Sequence, residues 1–86
     1  MHWKVIESKR AKKQIVSLPN LIRRIYYELV GDLGTDGPYP HGWESKPLQN
    51  QSRISIRLNR EYRVLVEVHQ PNVIVVQVAH RKEIYR

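Results

Sequence analysis

Three runs near the C-terminal end, "SRISIRL" (52–58), "EYRVLVEVH" (61–69) and "VIVVQVAH" (73–80), alternate side-chain character with the period of a β-strand. The gaps between them are two and three residues long. A parallel return needs a crossover of a dozen or more residues, so gaps this short leave only an antiparallel meander with turns at 59–61 and 70–72. Everything else in the chain has to pack against that sheet.

Side chains alternate faces along a strand, so parity sorts each run into two rows. Ile54, Ile56 and Leu58 form the core row of the first run, with Arg53, Ser55 and Arg57 behind them. The second run turns Val64, Val66 and Val68 inward and Arg63, Leu65, Glu67 and His69 outward. In the third, Ile74, Val76 and Val78 point inward, Val73, Val75, Gln77 and Ala79 outward, and the same period carried on puts Arg81 outward.

Upstream, "HWKVIE" (2–7) reads as a short first strand and Ser8 as the N-cap of a helix. In that helix Ala11, Ile15 and Leu18 recur at i, i+4 and i+7, while Lys9, Arg10, Lys12 and Lys13 give a basic outer face. Pro19 ends it and opens a second helix, because proline lacks an N–H yet suits a first helical turn. Leu21, Ile22, Ile25, Leu29, Val30 and Leu33 make a broad apolar stripe on this helix, and Gly31 or Gly34 is the expected stop. The segment 34–50, broken by Pro38, Pro40 and Pro47, reads as a loop crossing to the sheet. The fold class is therefore α+β with the order β-α-α-β-β-β, a helical hairpin on one face of a small, mainly antiparallel four-stranded sheet. The 86 residues suffice for a single domain, 1–86, with one core.

Lys and Arg number 15 against 8 acidic residues, a formal charge of +7, which draws polyanions such as nucleic acid, an acidic protein or an anionic surface. The surplus is spread along the chain, seven basic against four acidic side chains in 1–40 and eight against four in 41–86, so faces matter more than segments. There is no cysteine, hence no disulfide, thiolate nucleophile or thiolate metal site, and a cytoplasmic location is expected. No signal-like segment or apolar run of about 18 to 20 residues is present, so no membrane association is expected. The four histidines have no metal-ligand spacing, so neither metal nor cofactor is expected. Neither a GxxxxGK phosphate loop nor a GxSxG elbow occurs.

Parity thus gathers Arg57, Arg63 and Arg81 on the sheet face away from the helices, flanked by Lys46 from the loop and Tyr85 from the closing "HRKEIYR". Guanidiniums match phosphate oxygens and stabilise charge building on phosphorus, and a tyrosine can stack a base or move a proton. The alternative is an ordinary outer face whose arginines pair with Glu61, Glu67 and Glu83. Tyr26, Tyr27, Tyr39, Trp43 and Tyr62 are read as packing residues.

Taken in order, "WKVIE", the helical pair broken at "LP", "KPLQ", "RISIRLNREYRVLVEV" and "VIVVQVAHRKEIYR" resemble the RelE/ParE superfamily of type II toxin–antitoxin toxins. The resemblance spans nearly the whole chain, and its most specific parts are the run from Arg57 to Leu65 and "HRKEIYR". It implies the RelE-like microbial RNase fold and a ribosome-dependent mRNA interferase. Such an enzyme needs no metal or cofactor and cuts message in the A site through attack of a 2'-hydroxyl on the adjacent phosphate.

Carried over by position, Arg63 stabilises the phosphorane, Arg81 stabilises charge or serves the leaving group, and Tyr85 stacks or assists proton transfer. Arg57 and Lys46 complete the cationic pocket, either of them or His80 assisting the 2'-hydroxyl, while Arg53, Lys82 and Arg86 add attraction for RNA. The chain departs from some relatives in having Ser55 where they carry a second basic residue, and no position matches the glutamate base that others use. The general base is unassigned. The implied partners are a cognate antitoxin in a hetero-oligomer, the ribosome and mRNA. The rival functions are a ParE-like inhibitor of DNA gyrase and an inactive basic module that binds only RNA or its partner.

Overall fold

A computed structural model describes residues 2–48 and 52–84. Strand β1 (Lys4–Glu7) leads into helices α1 (Lys9–Val16) and α2 (Asn20–Asp36). Strands β2 (Ser45–Pro47), β3 (Arg53–Arg57), β4 (Tyr62–His69) and β5 (Asn72–His80) follow, and a short helix α3 (Arg81–Ile84) ends the described chain. The sheet order is β1-β5-β4-β3-β2. The expected meander β3-β4-β5 is its antiparallel centre, and β1 joins it parallel to β5.

Both helices bury their stripes against one face, except at Leu21, which the sequence assigns to the stripe of α2 but which is 64% exposed. Ala11, Ile15 and Leu18 from the first helical segment and Ile22, Tyr26, Leu29 and Leu33 from α2 meet Ile54, Ile56, Leu58, Val64, Val66, Val73, Val75 and Val78. Each fully buried aliphatic side chain there contributes about 1.5–3 kcal/mol from leaving water. The helix starts are as the sequence suggests: the Ser8 hydroxyl accepts from the Ala11 N–H at 3.0 Å, and Pro19 precedes the first turn of α2. Tyr26 is fully buried and donates its hydroxyl to Glu7 at 2.6 Å. Burial, then the bond to Glu7, raises the phenol far above its ordinary value.

Tyr27 and Tyr39, expected to pack, are each 55% exposed, and four expectations about the elements need correction as well. The sheet has five strands, because the crossing segment contributes β2, which pairs with β3 through Lys46↔Ser55. Helix α2 runs past Gly31 and Gly34, since its apolar stripe continues to Leu33 and outweighs the roughly 1 kcal/mol that a helical glycine costs. It stops at Gly37, which has φ 87° and lies so near the Trp3 indole that an added Cβ would stand 2.7 Å from it.

The third correction concerns parity in β5. Val73 and Val75 are fully buried in the core, and Ile74 and Val76 lie on the other side. Register shifts between Leu65↔Gln77 and Val66↔Val75, so Val76 is an extra residue in a bulge that reverses the alternation and restores Val78 to the core. The helix start holds this bulge: Ser8 N–H donates to Val75 O and Ser8 Oγ to Val76 O, both at 2.9 Å. Gln14 of α1 accepts from the Val78 N–H at 2.8 Å, so α1 covers the edge of β5 where β1 has ended.

Last, the strand does not run on through Arg81. It ends at His80, and Arg81 opens α3. Tyr85 and Arg86 lie outside the described residues.

Candidate active site

The face turned away from α1 and α2 carries a cleft of about 200 Å³ lined by Glu44, Lys46, Ser55, Arg57 and Arg63. Register explains the grouping. Arg57 and Arg63 are direct cross-strand partners, Lys46 lies opposite Ser55, and Ser55 lies opposite Leu65. Ser55 and Leu65 are both nearly buried, so the cationic heads stand around a closed floor.

The β3–β4 turn orients the two guanidiniums. Asn59 Oδ1 accepts from the N–H groups of Glu61 and Tyr62 at 2.9 and 2.8 Å, an Asx-type turn that fixes the Asn59 backbone. The Asn59 carbonyl then accepts from Arg57 Nε at 3.2 Å and Arg63 Nη1 at 2.6 Å. One carbonyl therefore ties both arginines. Arg57 also pairs with the exposed Glu44 carboxylate at 3.1 Å. Among the described residues Arg63 forms no ion pair; its bonds go to the Asn59 and Tyr62 carbonyls.

Like charges directly opposed across a strand pair destabilise a sheet by about 0.2–1 kcal/mol. Two arginines in that position, with Lys46 beside them and one exposed carboxylate in reach, create a local excess of positive charge. Such a cleft suits an anion with several oxygens, since guanidiniums donate in parallel pairs.

The other sequence-derived candidates fall elsewhere. Arg81 follows the last sheet residue, its N–H donating to Glu61 O at 2.6 Å, and it lines a separate groove of about 370 Å³ with Arg60, Glu61, His80 and Lys82. His80 packs edge-on against Tyr62, ring centroids 5.6 Å apart. Its Nε2 is 3.3 Å from Glu61 Oε2, and its Nδ1 accepts from the Lys82 N–H at 3.2 Å. Arg53 is held by its cross-strand partner Glu67 at 2.9 Å. Hydrogen bonds from His69 and Arg53 lower the Glu67 carboxyl below its ordinary value. Among the described residues no three His, Cys, Asp or Glu come together as a metal site. No helix among them is long and apolar enough to cross a membrane.

Glu44, Asn59 and Arg60 were not singled out from sequence. Asn59 carried a turn signal only, and nothing in local spacing announces that its carbonyl clasps two arginines. Glu44 sits in a Pro- and Gly-rich segment that gives no period to follow.

No protein-family model matches the sequence, and no curated protein matches it. Solved structures do match in shape. The RelB–RelE antitoxin–toxin complex of Methanococcus jannaschii superposes with a TM-score of 0.79 at 22% identity, over 93% of this chain and 94% of that one. The archaeal RelE–RelB complex of Pyrococcus horikoshii gives 0.80 at 21% identity, over 94% and 97%. A YoeB/ParE toxin from Agrobacterium tumefaciens gives 0.77 at 14% identity, over 91% and 98%. The chain therefore has the fold of the RelE, YoeB and ParE-type toxins, as the resemblance in its sequence implied.

Proposed function

We propose that this protein is the toxin of a type II toxin–antitoxin system and inhibits translation by cutting mRNA in the ribosomal A site. The observation that carries the reading is the opposed pair Arg57 and Arg63, tied by one carbonyl beside Lys46 and Glu44 in a cleft of about 200 Å³.

In the reaction the 2'-oxygen bonds to phosphorus while the bond from phosphorus to the 5'-oxygen breaks, leaving a 2',3'-cyclic phosphate and a 5'-hydroxyl end. Arg63 and Arg57 bind the phosphate and stabilise the charge of the phosphorane, the kind of preorganised donors that dominate such transition states. Lys46 adds charge from the cleft's edge. Glu44, the carboxylate lining the cleft, takes the 2'-hydroxyl proton and so fills the base role the sequence left open. Arg81, in a groove of its own, meets the departing strand. Tyr85, outside the described residues, stacks a base or delivers the proton the 5'-oxygen needs. Lys82, Arg86 and the basic face of α1 attract RNA.

The partner chain is an antitoxin whose acidic residues cover this face in a hetero-oligomer. The fold is shared with toxins found in complex with antitoxins, and the charge of +7 calls for a counter-charge. Primer extension on a translated message after induction tests the activity: cuts in phase with codons are expected. Intact messages together with damaged DNA would instead assign the protein to gyrase poisoning, and growth unaffected by induction would leave only a binding module.

A further inference from the structure

We infer that His80 is a positioning residue that caps α3 and sets Arg81, and that it transfers no proton. The inference adds a role within the proposed cleavage site, but its structural half stands without that reading. A backbone amide only donates, so the Nδ1 that accepts from Lys82 N–H must be unprotonated. The ring proton then sits on Nε2, directed at Glu61 Oε2, and both nitrogens are engaged in the neutral form. An imidazole acting as base or acid would have to give up one of these bonds in every turnover.

The three bonds form one clamp around Arg81. Its own N–H is held by Glu61 O, the residue before it is held by the Glu61 side chain, and the residue after it is held by the His80 ring. In helix terms His80 is the residue before the first turn, and its side-chain acceptor takes the second free N–H, the work more often done by Asn, Ser or Asp. The edge-on contact with Tyr62, its cross-strand partner, fixes the plane of the ring. What the clamp delivers is a sharp exit from β5 that holds Arg81 in the groove it lines with Arg60, Glu61 and Lys82.

The test compares H80N and H80A in the full chain. Asparagine keeps an acceptor for the Lys82 N–H but cannot exchange a proton near neutral pH; alanine keeps neither. Amide exchange with water at Lys82, followed by NMR, should speed up about fivefold in H80A and stay near wild type in H80N, the size expected for a lost cap. Equal exchange in H80A and wild type would overturn the clamp. Cleavage by H80A should fall about tenfold, the cost of a misplaced cationic group, and H80N should recover most of it. An H80N protein whose Lys82 amide is still protected but which cuts no better than H80A would show that the imidazole itself does the chemistry, and the inference would fail. If wild type cuts no message, the proposed function falls, while the exchange measurement alone still decides the clamp.

Discussion

Strands β3 and β4 carry two rungs on the same outer face that differ in one respect. Arg53 faces Glu67, and Arg57 faces Arg63. The first rung is closed: its carboxylate lies 2.9 Å from Arg53 and 3.2 Å from His69, so each of its oxygens meets a basic side chain. The second is open, with two like charges sharing one carbonyl and a single exposed carboxylate. Backbone geometry is the same in both, so the contrast comes from side-chain choice alone. A rung that is less favourable to the sheet than its neighbour, yet lines a cleft, is the one organised for a ligand.

Turning the open rung into a copy of the closed one gives the largest expected effect. R63E would place a carboxylate opposite Arg57. Message cleavage should drop by about 10² to 10³-fold, the usual cost of removing a preorganised charge from a transition state. Thermal stability should hold or rise, since repulsion becomes attraction worth about 0.5 kcal/mol. R63A should lose cleavage alike, and because it relieves the repulsion without adding an attraction its gain in stability should be the smaller. Cleavage that survived either change would remove the cleft from the mechanism.

E44Q probes the single carboxylate that distinguishes the cleft from a bare cationic patch. Glutamine keeps an oxygen for Arg57 and the side chain's shape, but it accepts no proton. The cleavage rate should fall by about 10²-fold, as for a lost general base, with affinity for RNA unchanged or slightly tighter. A loss of binding with an unchanged rate at saturation would mean that Glu44 merely orders Arg57.

Much of this was legible in sequence. Arg57 and Arg63 were placed together because both lie before the bulge, where strand parity holds. Parity failed in β5 because Val76 is an extra residue, and a bulge stabilised by Ser8 from another part of the chain leaves no local trace. Arg81 was carried too far by the same rule, since the strand gives way to a helical turn one residue earlier. The closure of Arg53 by Glu67 was within reach: partners across a short hairpin have residue numbers adding to a constant, and Arg57↔Arg63 fixes Arg53↔Glu67. The Asn59 clasp was not, because it depends on where a turn carbonyl points.

The converse exchange, E67R, would open the closed rung. It removes a partly buried pair and sets three basic side chains, counting His69, around one position. Stability should fall by about 1 kcal/mol, a drop in melting midpoint of roughly 4–8 °C for a domain this small. Cleavage by the folded fraction should be unaffected, because Arg53 and Glu67 do not line the cleft. A comparable loss of cleavage would mean that the two rungs work as a single site and that their contrast has no functional meaning.

The smallest effect comes from titrating the closed rung. Glu67 is lowered from an ordinary value of 4.5, first by the bond to His69 and then by the bond to Arg53. A carboxyl whose folded value lies below its unfolded value adds stability that is complete above the unfolded value and is lost as pH falls through the folded one. The difference in unfolding free energy between wild type and E67Q should therefore be constant above about pH 5 and shrink toward zero as the pH drops below 4.5. For a pair this exposed its plateau should be about 0.5 kcal/mol or less. Denaturant titrations at a series of pH values would resolve the trend, and a difference that stayed level from about pH 7 down to about pH 3 would show that the pair with Arg53 and His69 adds nothing to the fold.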